Sequence, residues 1–580
     1  MKSSRLIVLL VALMLLTGLV ACGSGSSSTQ TPSSTPAPAA TTPAKPAAPA
    51  TPAPTPAVGG GTIQGEAKKE MVDNVVVVMG SATFDPAPFG SVGGRGAFSQ
   101  MLYANLVYRN HFSEAYYESD YWIAKDIVKV DDVTYEIEIW DNIKDNQGNV
   151  IDVDDIIWNY EMLGTIGEQL FVSTSVASME NIGNNKLRMK LAGPLPGTFE
   201  MICGYNRIGF CDRQWWEKAT PDERANNPAV TGPYYIKSIT PGADIVLQAV
   251  ENYWMPQDKL PKGMQTNVKT ITMKTITEAA MRSIALENKE VDCGAIAASE
   301  YDRFFNKDGT AKPGYNVKVT DTDHHNGFFL NMDKKSGSVV ANNVNLRRAI
   351  LTMIKWEDIA MCAGNTLNTV IPCYTNGVTD TGGFLQKWKD EPYWPYDVNL
   401  AKQYMAESGI KGDVTIRFLT RVGSTYDAIN SVLIESLGQI GVKLDIIAYD
   451  QATFNNFKFD ATHYDIIYDS QPNQHVANGW DYSYNPKGFK NGGMNFLFAE
   501  GNDYQYGLPI LYDCLYKTTP ETIDAFHKFL IESACCKSVY VQLGFRVAQE
   551  GILEICTGEN GTIMPSGFVF ADNYKSVIDK

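Results

Sequence analysis

The chain has 580 residues and a formal net charge of −16, with 44% of its residues hydrophobic and 20% charged. This composition is typical of a folded globular protein, and the length exceeds what one hydrophobic core usually contains, so we expect two or three domains or lobes. The acidic balance argues against a nucleic-acid-binding protein, because such proteins need a basic face to contact phosphates.

The first residues predict a signal for export. Lys2 and Arg5 precede the apolar run Leu6–Leu16, which is too short to cross a bilayer core of about 30 Å as a stable helix. This pattern is typical of a secretory signal peptide. The run leads into Leu-Val-Ala-Cys-Gly-Ser, which resembles the lipobox of bacterial lipoproteins. That resemblance implies removal of residues 1–21 and lipidation of Cys22; the alternative is a plain signal peptide that contains a cysteine.

Residues 22–62 are predicted to form a disordered tether. After the cysteine the segment is low-complexity Ser, Thr, Pro, Ala and Gly with few other residues, and Lys45 is its only charged residue. Such a sequence buries too little apolar surface to fold, and its prolines favour an extended chain. The tether could hold a folded domain up to ~100 Å from a membrane, which favours a Gram-positive type of envelope.

Three patterns predict the first elements of the folded region. The β-branched run Val75–Met79 predicts a strand that is buried on both faces. Val133–Trp140 alternates apolar and polar residues, which predicts a half-buried strand. Asp152 precedes apolar residues at helical spacing, so we expect it to cap a helix.

Residues 230–254 predict a β-hairpin. Tyr234–Ile239 and Ile245–Val250 are rich in aromatic and β-branched residues, as strands are. A Pro-Gly pair at 241–242 marks the turn between them, and a Gly-Pro pair at 232–233 precedes the first strand.

The later part of the chain alternates between predicted helices and strands. Asn345 is predicted to cap the helix that follows it, and Ser424–Ile440 is the longest predicted helix. The predicted strands Val414–Leu419 and Val442–Ile446 flank that long helix, and Tyr464–Tyr468 is a further buried strand. This strand–helix–strand rhythm predicts an α/β lobe.

The order of these motifs resembles family 5 of the extracellular solute-binding proteins, the oligopeptide-, dipeptide- and nickel-binding receptors of ABC importers. The Thr-Gly-Pro-Tyr turn at 231–234, the hairpin and the Glu-Asn-Tyr-Trp sequence at 251–254 match the family's most recognisable signature. Asn331 followed by Leu-Arg-Arg-Ala-Ile at 346–350 matches its crossover motif. The resemblance covers about residues 71–575.

The resemblance implies an α/β fold of the two-lobed periplasmic-binding-protein type (type II, the large cluster with an extra subdomain in lobe I), with a hinge between the lobes. The implied division is a signal peptide at 1–21, the lipidated tether at 22–62, lobe I at 63–106, 230–322 and 545–580, a peripheral subdomain at 107–229, and lobe II at 323–544.

The ligand of such a fold lies in the cleft between the lobes, near the ends of strands. Arg421 lies just after the predicted strand Val414–Leu419, and a guanidinium can bind a carboxylate with two hydrogen bonds. It resembles the arginine that holds the peptide carboxylate in the dipeptide-binding protein; an exposed loop arginine is the alternative.

The loop after Tyr468 departs from the peptide-binding members of the family. Those members have Gly-Trp there, and an aspartate three residues beyond the tryptophan pairs with the peptide α-amine. This chain has Asp469 followed by serine, and Asn473 stands at the position of that aspartate. A neutral asparagine cannot supply the ion pair, so Asp469 or Asp481 is expected to substitute if an amine is bound.

An aromatic cluster around Asp481 is the third candidate for ligand contact. Trp480, Tyr482 and Tyr484 surround this carboxylate in sequence, a combination that suits a cation or an apolar ring. Packing within the core of a lobe is the alternative interpretation.

No metal, cofactor or catalytic site is predicted. His324 and His325 are neighbours on a predicted strand, so their side chains should point to opposite faces and would be poor ligands for one metal. The mature chain lacks Gly-x-Ser-x-Gly, His-Glu-x-x-His and the nucleotide-binding Gly-x-x-x-x-Gly-Lys-Ser/Thr loop. An enzyme is therefore not expected.

The cysteines leave two pairings open. Cys203 and Cys211, and likewise Cys362 and Cys373, are close enough in sequence to form disulfides in an oxidising compartment. Buried thiols are the alternative.

The sequence therefore predicts a monomeric, lipid-anchored receptor on the extracytoplasmic face of a bacterial membrane. It would capture a peptide or peptide-like solute and deliver it to the permease and ATPase subunits of an ABC importer. The alternatives are a non-peptide solute (a sugar, an amine or a metal complex) and a role as a sensor or adhesin.

Overall fold

The protein is described by a computed structural model. It describes residues 66–80, 86–89, 99–109, 119–165, 175–194, 198–204, 209–261, 263–364, 370–373, 383–391, 393–472, 476–486, 493–558 and 561–579. The predicted signal peptide, Cys22 and the tether lie outside this part of the chain, as does Asn473. Within it, no helix has the length and apolar character needed to cross a membrane.

The strands of the described residues are β1 Val72–Met79, β2 Val107–Arg109, β3 Ser119–Tyr121, β4 Ala124–Lys129, β5 Thr134–Ile139, β6 Val176–Gly183, β7 Lys186–Leu191, β8 Tyr234–Thr240, β9 Asp244–Ala249, β10 Val268–Thr275, β11 Cys293–Ile296, β12 Tyr315–Leu330, β13 Val370–Pro372, β14 Val414–Arg421, β15 Val442–Tyr449, β16 Ile466–Pro472, β17 Cys536–Gln549, β18 Ile552–Glu554 and β19 Val569–Phe570.

The α-helices of the same residues are α1 Ser99–Leu102, α2 Val153–Leu163, α3 Thr198–Cys203, α4 Arg213–Lys218, α5 Pro221–Asn226, α6 Ala279–Glu287, α7 Tyr301–Phe304, α8 Val344–Met353, α9 Trp356–Gly364, α10 Val398–Glu407, α11 Ser424–Gly438, α12 Gln451–Phe457, α13 Val476–Tyr484, α14 Leu508–Lys517 and α15 Pro520–Ser533. Short 3₁₀ turns lie at Gln257–Lys259, Ala298–Glu300, Lys334–Ser336, Gln386–Lys389, Ala461–His463, Asp503–Gly507 and Pro565–Gly567.

One long sheet organises the fold. Its strand order is β15-β14-β16-β12-β17-β11-β1-β10-β9-β8, and β13 also pairs with β17. Strands β14, β15 and β16 are parallel to one another, and β1 is parallel to both β10 and β11. The first parallel group belongs to lobe II and the second to lobe I. The predicted two-lobed α/β fold is confirmed.

The two lobes share the antiparallel strands β12 and β17. Residues 315–321 of β12 pair with 543–549 of β17 on the side of lobe I, and residues 325–329 pair with 536–541 on the side of lobe II. The register shifts between Asp321 and His325, and again between Asn326 and Gly327. The pairing is thus interrupted where the strands pass from one lobe to the other, which is the place where a hinge is expected.

Helices cover both faces of the sheet in lobe II. Apolar residues of α8, α9, α10 and α11 pack on one face, and those of α12, α13, α14 and α15 pack on the other. In lobe I, β1 is buried on both sides, as predicted: Val75 and Val77 belong to one core, and Val76 and Val78 belong to the core beneath α6. Each lobe is therefore a layered α/β unit.

The predicted hairpin is confirmed. Strands β8 and β9 pair antiparallel, and Gly242 adopts the positive φ of 75° that the tight turn requires. A Cβ on Gly232 would lie 2.4 Å from the carbonyl oxygen of Met101, so only glycine fits between the hairpin and the segment after α1. Tyr253 and Trp254 both donate side-chain hydrogen bonds to the carbonyl oxygen of Thr231. The signature residues are therefore structural.

A second, four-stranded antiparallel sheet of order β4-β5-β7-β6 lies in the predicted peripheral subdomain. Helix α2 packs beside it, and Asp152 caps this helix as predicted: its side chain accepts from the Asp155 backbone amide, and the Asp155 carboxylate accepts in return. Burial raises the pKa of Asp155 to about 6. The residue limits of the subdomain and lobes remain a proposal.

The cap of helix α8 differs from the sequence prediction. Helix α8 is capped by Asn343 and not by Asn345; the Asn343 side chain accepts from the Leu346 amide at 2.9 Å, whereas Asn345 donates to the carbonyl oxygen of Glu407. The prediction for Asn345 was wrong because two asparagines stand near the same helix start and only tertiary packing selects one.

The four cysteines considered for disulfides, Cys203, Cys211, Cys362 and Cys373, are thiols in the structure.

Candidate functional site: the lobe II edge of the cleft

The parallel strands of lobe II end together at the edge that faces the hinge. Arg421, the last residue of β14, lies opposite Tyr449, the last residue of β15. In β16, Asp469 pairs with Gly327 of β12 just before the interrupted stretch of the hinge strands. Carboxyl ends of parallel strands are the usual place for ligand-binding groups in α/β folds, so this edge is the candidate site.

Arg421, Lys458 and Asp469 form a charged cluster at this edge. A guanidinium nitrogen of Arg421 forms an ion pair with one oxygen of Asp469, and Lys458 Nζ lies 3.1 Å from the other oxygen. The Asp469 side chain is 1% exposed, and the side chains of Arg421 and Lys458 are 12% and 21% exposed. Two cations thus share one buried carboxylate, and the cluster carries one positive charge in excess.

Aromatic rings hold the Arg421 side chain in place. Its guanidinium carbon lies 4.0 Å from the ring centre of Phe454 and 5.6 Å from that of Tyr426, and Nη1 donates to the Tyr426 hydroxyl. Burial lowers the pKa of Arg421, but the neighbouring Asp469 carboxylate outweighs burial and the pKa is raised. Arg421 is therefore a packed, paired side chain and not an exposed loop arginine.

The aromatic cluster lies on α13, and its members divide between core and surface. Trp480 is 2% exposed and packs edge-on against Phe526 with ring centres 5.2 Å apart. Tyr484 is also 2% exposed, and its hydroxyl lies 3.1 Å from Cys536 Sγ. These two side chains, four residues apart on one helix face, serve the core of lobe II.

Asp481 and Tyr482 of α13 are half-buried. Asn485 Nδ2 donates to Asp481 at 2.6 Å, and burial raises the pKa of the Asp481 carboxyl. Ser483 donates to Gln471 Oε1 at 3.0 Å, which ties α13 to the end of β16. The structure therefore brings Arg421 and Asp469 together, places α13 beside the same strand end, and turns Trp480 and Tyr484 away from solvent.

Strands β12 and β17, which the two lobes share, make buried polar contacts that sequence reasoning did not identify. The hydroxyls of Tyr468 and Tyr540 form a hydrogen bond between β16 and β17. His325 Nδ1 lies 2.9 Å from Ser538 Oγ, and burial lowers the pKa of His325 to about 3. Among the described side chains, no three His, Cys, Asp or Glu residues are grouped so that they could hold a metal ion.

Two basic residues near the hinge were also missed. Lys458 follows α12 with no local signal that it reaches β16. Arg546 was detectable, because it is the sole charged residue in the otherwise uncharged run Val539–Ala548. A charged residue in such a run predicts either a buried ion pair or a functional group.

A family of known proteins matches this chain. The family model described as "Bacterial extracellular solute-binding proteins, family 5 Middle" matches residues 120–488, which is more than half of the chain. No protein with a curated description matches the chain by sequence.

Solved structures share the fold at low sequence identity. AgaA from Agrobacterium tumefaciens R10, in complex with agropinic acid, is 15% identical with a TM-score of 0.69; 87% of this chain and 99% of AgaA are covered. NikA from Brucella suis, in complex with Fe(III)-EDTA, is 17% identical with a TM-score of 0.69, covering 86% and 99%. AppA from Bacillus subtilis, in complex with a nonapeptide, is 15% identical with a TM-score of 0.66, covering 87% and 100%.

Proposed function

The chain belongs to family 5 of the bacterial extracellular solute-binding proteins, and we propose that it is the lipid-anchored substrate-binding receptor of an ABC importer. Members of this family are extracytoplasmic solute receptors and not a class of enzymes. The observation that carries the proposal is the pair of shared strands β12 and β17, whose pairing is interrupted between the lobes. Two lobes connected in this way can close around a solute and present it to a permease.

The proposed solute is a peptide or peptide-like molecule. The nonapeptide complex of Bacillus subtilis AppA supports this class, since that protein has the same fold. The agropinic acid complex of AgaA supports the alternative, a non-peptide solute. One observation in this chain favours the alternative: Asp469, a candidate partner for a peptide α-amine, is already held by Arg421 and Lys458.

The proposed ligand contacts are those of the lobe II edge. Arg421, Asp469, Asp481 and Tyr482 lie at or beside the end of β16, and Asn473 follows it in sequence. Trp480 and Tyr484, which were also expected to touch the ligand, would act by positioning α13, because both are buried in the core.

The ligand class is tested by native mass spectrometry of what co-purifies with residues 63–580, followed by thermal-shift measurements with peptides of two to eight residues, sugars and amines. A ligand that binds only the folded state raises the melting temperature by mass action. If no peptide raises it while another solute class does, the peptide assignment is wrong and the receptor assignment stands. If no solute raises it, the receptor assignment loses its support.

The anchor and the transport role are tested in cells. The full chain should fractionate with membranes and incorporate labelled palmitate, and Cys22→Ala should abolish both. A deletion strain should lose uptake of the identified solute if the protein serves an importer. Normal uptake together with a lost response to the solute would instead indicate a sensor.

A further inference from the structure

Arg546 lies on the part of β17 that belongs to lobe I. It stands in register between Ala295 of β11 and Lys318 of β12. Its Nε donates to the carbonyl oxygen of Gly561 at 2.7 Å, and its Nη1 donates to the carbonyl oxygen of Phe545 at 3.2 Å. Both acceptors are neutral, so neither compensates the charge of the guanidinium.

The guanidinium extends along β17 toward the hinge. A Cβ on Gly544, two residues nearer the hinge, would lie 2.9 Å from both Nη1 and Nη2, and a Cβ on Gly561 would lie 3.1 Å from Nη2. The two glycines thus leave the space that the guanidinium occupies. Thr320 is the register partner of Gly544, and its hydroxyl borders the same space. Asp321 and Leu543 form the last residue pair before the register of β12 and β17 shifts. The Nη2 end of Arg546 lies beside the pair next to it, Thr320 and Gly544.

The charge of Arg546 has no counterpart among the described side chains. No described carboxylate forms an ion pair with it, and Nη2 makes no hydrogen bond to a described atom. Burial lowers the pKa of Arg546 to about 10. Desolvating a cation without an anionic partner costs free energy, and such costs are concentrated at functional sites.

The lobe II edge has a positive excess as well. There, Arg421 and Lys458 share the single carboxylate of Asp469. Excess cationic charge is thus present in both lobes, at strands that border the hinge, although the chain as a whole carries a net charge of −16. A local cationic site in an acidic protein selects for an anionic group by direct contact and not by the overall field.

From this arrangement we infer that the solute carries an acidic group, a carboxylate or a phosphate, and that Arg546 binds this group from lobe I through Nη2. The inference deepens the proposed receptor function and rests on it. Arg546 is thereby a specificity-determining residue, and a solute held by Arg546 and by the cationic edge of lobe II would connect the two lobes.

The test compares the wild type with Arg546→Gln, Arg546→Lys and the control Arg303→Gln, an arginine of lobe I that pairs with Glu287 and Glu300 at the surface. The probes are tetra-alanine, its C-terminal amide, succinate, citrate, inorganic phosphate, maltose and putrescine. Melting temperatures are measured with and without each probe, and dissociation constants are determined for every probe that stabilises the wild type.

We expect a carboxylate- or phosphate-bearing probe to stabilise the wild type and the Arg303→Gln control. Affinity for that probe should fall about 30-fold or more in Arg546→Gln, with partial recovery in Arg546→Lys. Tetra-alanine active while its amide is inactive would identify a carboxylate, and phosphate active alone would identify a phosphate. Without probe, Arg546→Gln should melt at or above the wild-type temperature, because an uncompensated charge has been removed.

Three outcomes would overturn the inference. Stabilisation by maltose, putrescine or the amide alone would leave the receptor function standing but remove the acidic group. An unchanged probe response in Arg546→Gln would remove Arg546 from the site. A probe-free melting temperature several degrees below the wild type, with the response retained, would assign Arg546 a structural ion pair. If no probe acts and nothing co-purifies, the receptor function itself fails.

Discussion

Replacement of Asp469 by asparagine should destabilise the protein strongly, because it leaves Arg421 and Lys458 as neighbouring cations with no anion between them. The Coulomb attraction between Lys458 Nζ and the carboxylate at 3.1 Å is about 5 kcal/mol at an effective dielectric constant of about 20. Since the Asp469 side chain is 1% exposed, water cannot replace the lost partner. Removal of one member of a buried pair usually costs about 3–5 kcal/mol, and we expect a loss in that range.

A double-mutant cycle separates the pair from its surroundings. Arg421→Gln leaves Asp469 with Lys458, so its loss should be smaller, about 1.5–3 kcal/mol. The double variant should be more stable than the sum of the single effects predicts, because the orphaned Arg421 charge is gone. The control Asp413→Asn removes an exposed partner of Lys443, for which about 0–1 kcal/mol is expected.

The assay is urea unfolding followed by tryptophan fluorescence and circular dichroism. The two signals must coincide before a single free energy of unfolding is assigned. An Asp469→Asn loss of less than about 1 kcal/mol, or strictly additive effects in the cycle, would refute the conclusion that the buried carboxylate holds the two cations together.

Three further predictions follow from buried polar and close-packed positions. Arg347, 1% exposed, donates to three backbone carbonyls and a tyrosine hydroxyl, so Arg347→Met should cost about 3–5 kcal/mol in urea unfolding, and a loss below 1 kcal/mol would contradict that role. His325 has a pKa of about 3 in the folded protein and near 6.5 in the unfolded chain, so the stability that it contributes above pH 6.5 is lost as the pH falls toward 3. His325→Gln should therefore make the melting temperature less dependent on pH between 6.5 and 3. An unchanged dependence of the melting temperature on pH would contradict the burial of His325. Gly232→Ala should cost about 1–3 kcal/mol or more because its Cβ meets backbone, whereas Gly193→Ala, which meets nothing, should be neutral; equal melting temperatures would contradict the clash.

Most of the fold could be predicted from the sequence because many of its helices and strands have strong local sequence patterns. The run of buried β-branched residues in β1 and the Pro-Gly turn of the β8–β9 hairpin can each be recognised from a short stretch of sequence. The start of α8 was less certain, since Asn343 and Asn345 are equally good caps in isolation and the difference lies in what each meets across the lobe.

The site was less predictable because it depends on pairing across the sheet. The end of β14 located Arg421, but the partnership with Asp469 and Lys458 joins residues 48 and 11 positions apart. The sequence does not distinguish an aromatic side chain that lines a cleft from one that packs in a core. Only the helical spacing of Trp480 and Tyr484 hinted that both would turn inward on one face.

One buried carboxylate, that of Asp292, contacts both the early and the late parts of lobe I. Asp292 accepts from the backbone amides of Val76 and Val577 and from the Ser576 hydroxyl, and β17 completes the sheet beside β11. The contacts of β1, the first strand of this lobe, are therefore complete only when residues about 500 positions later in the chain are in place. Contacts between segments this far apart in sequence slow folding, so we expect lobe I to complete its sheet only after the last strands of the chain are available.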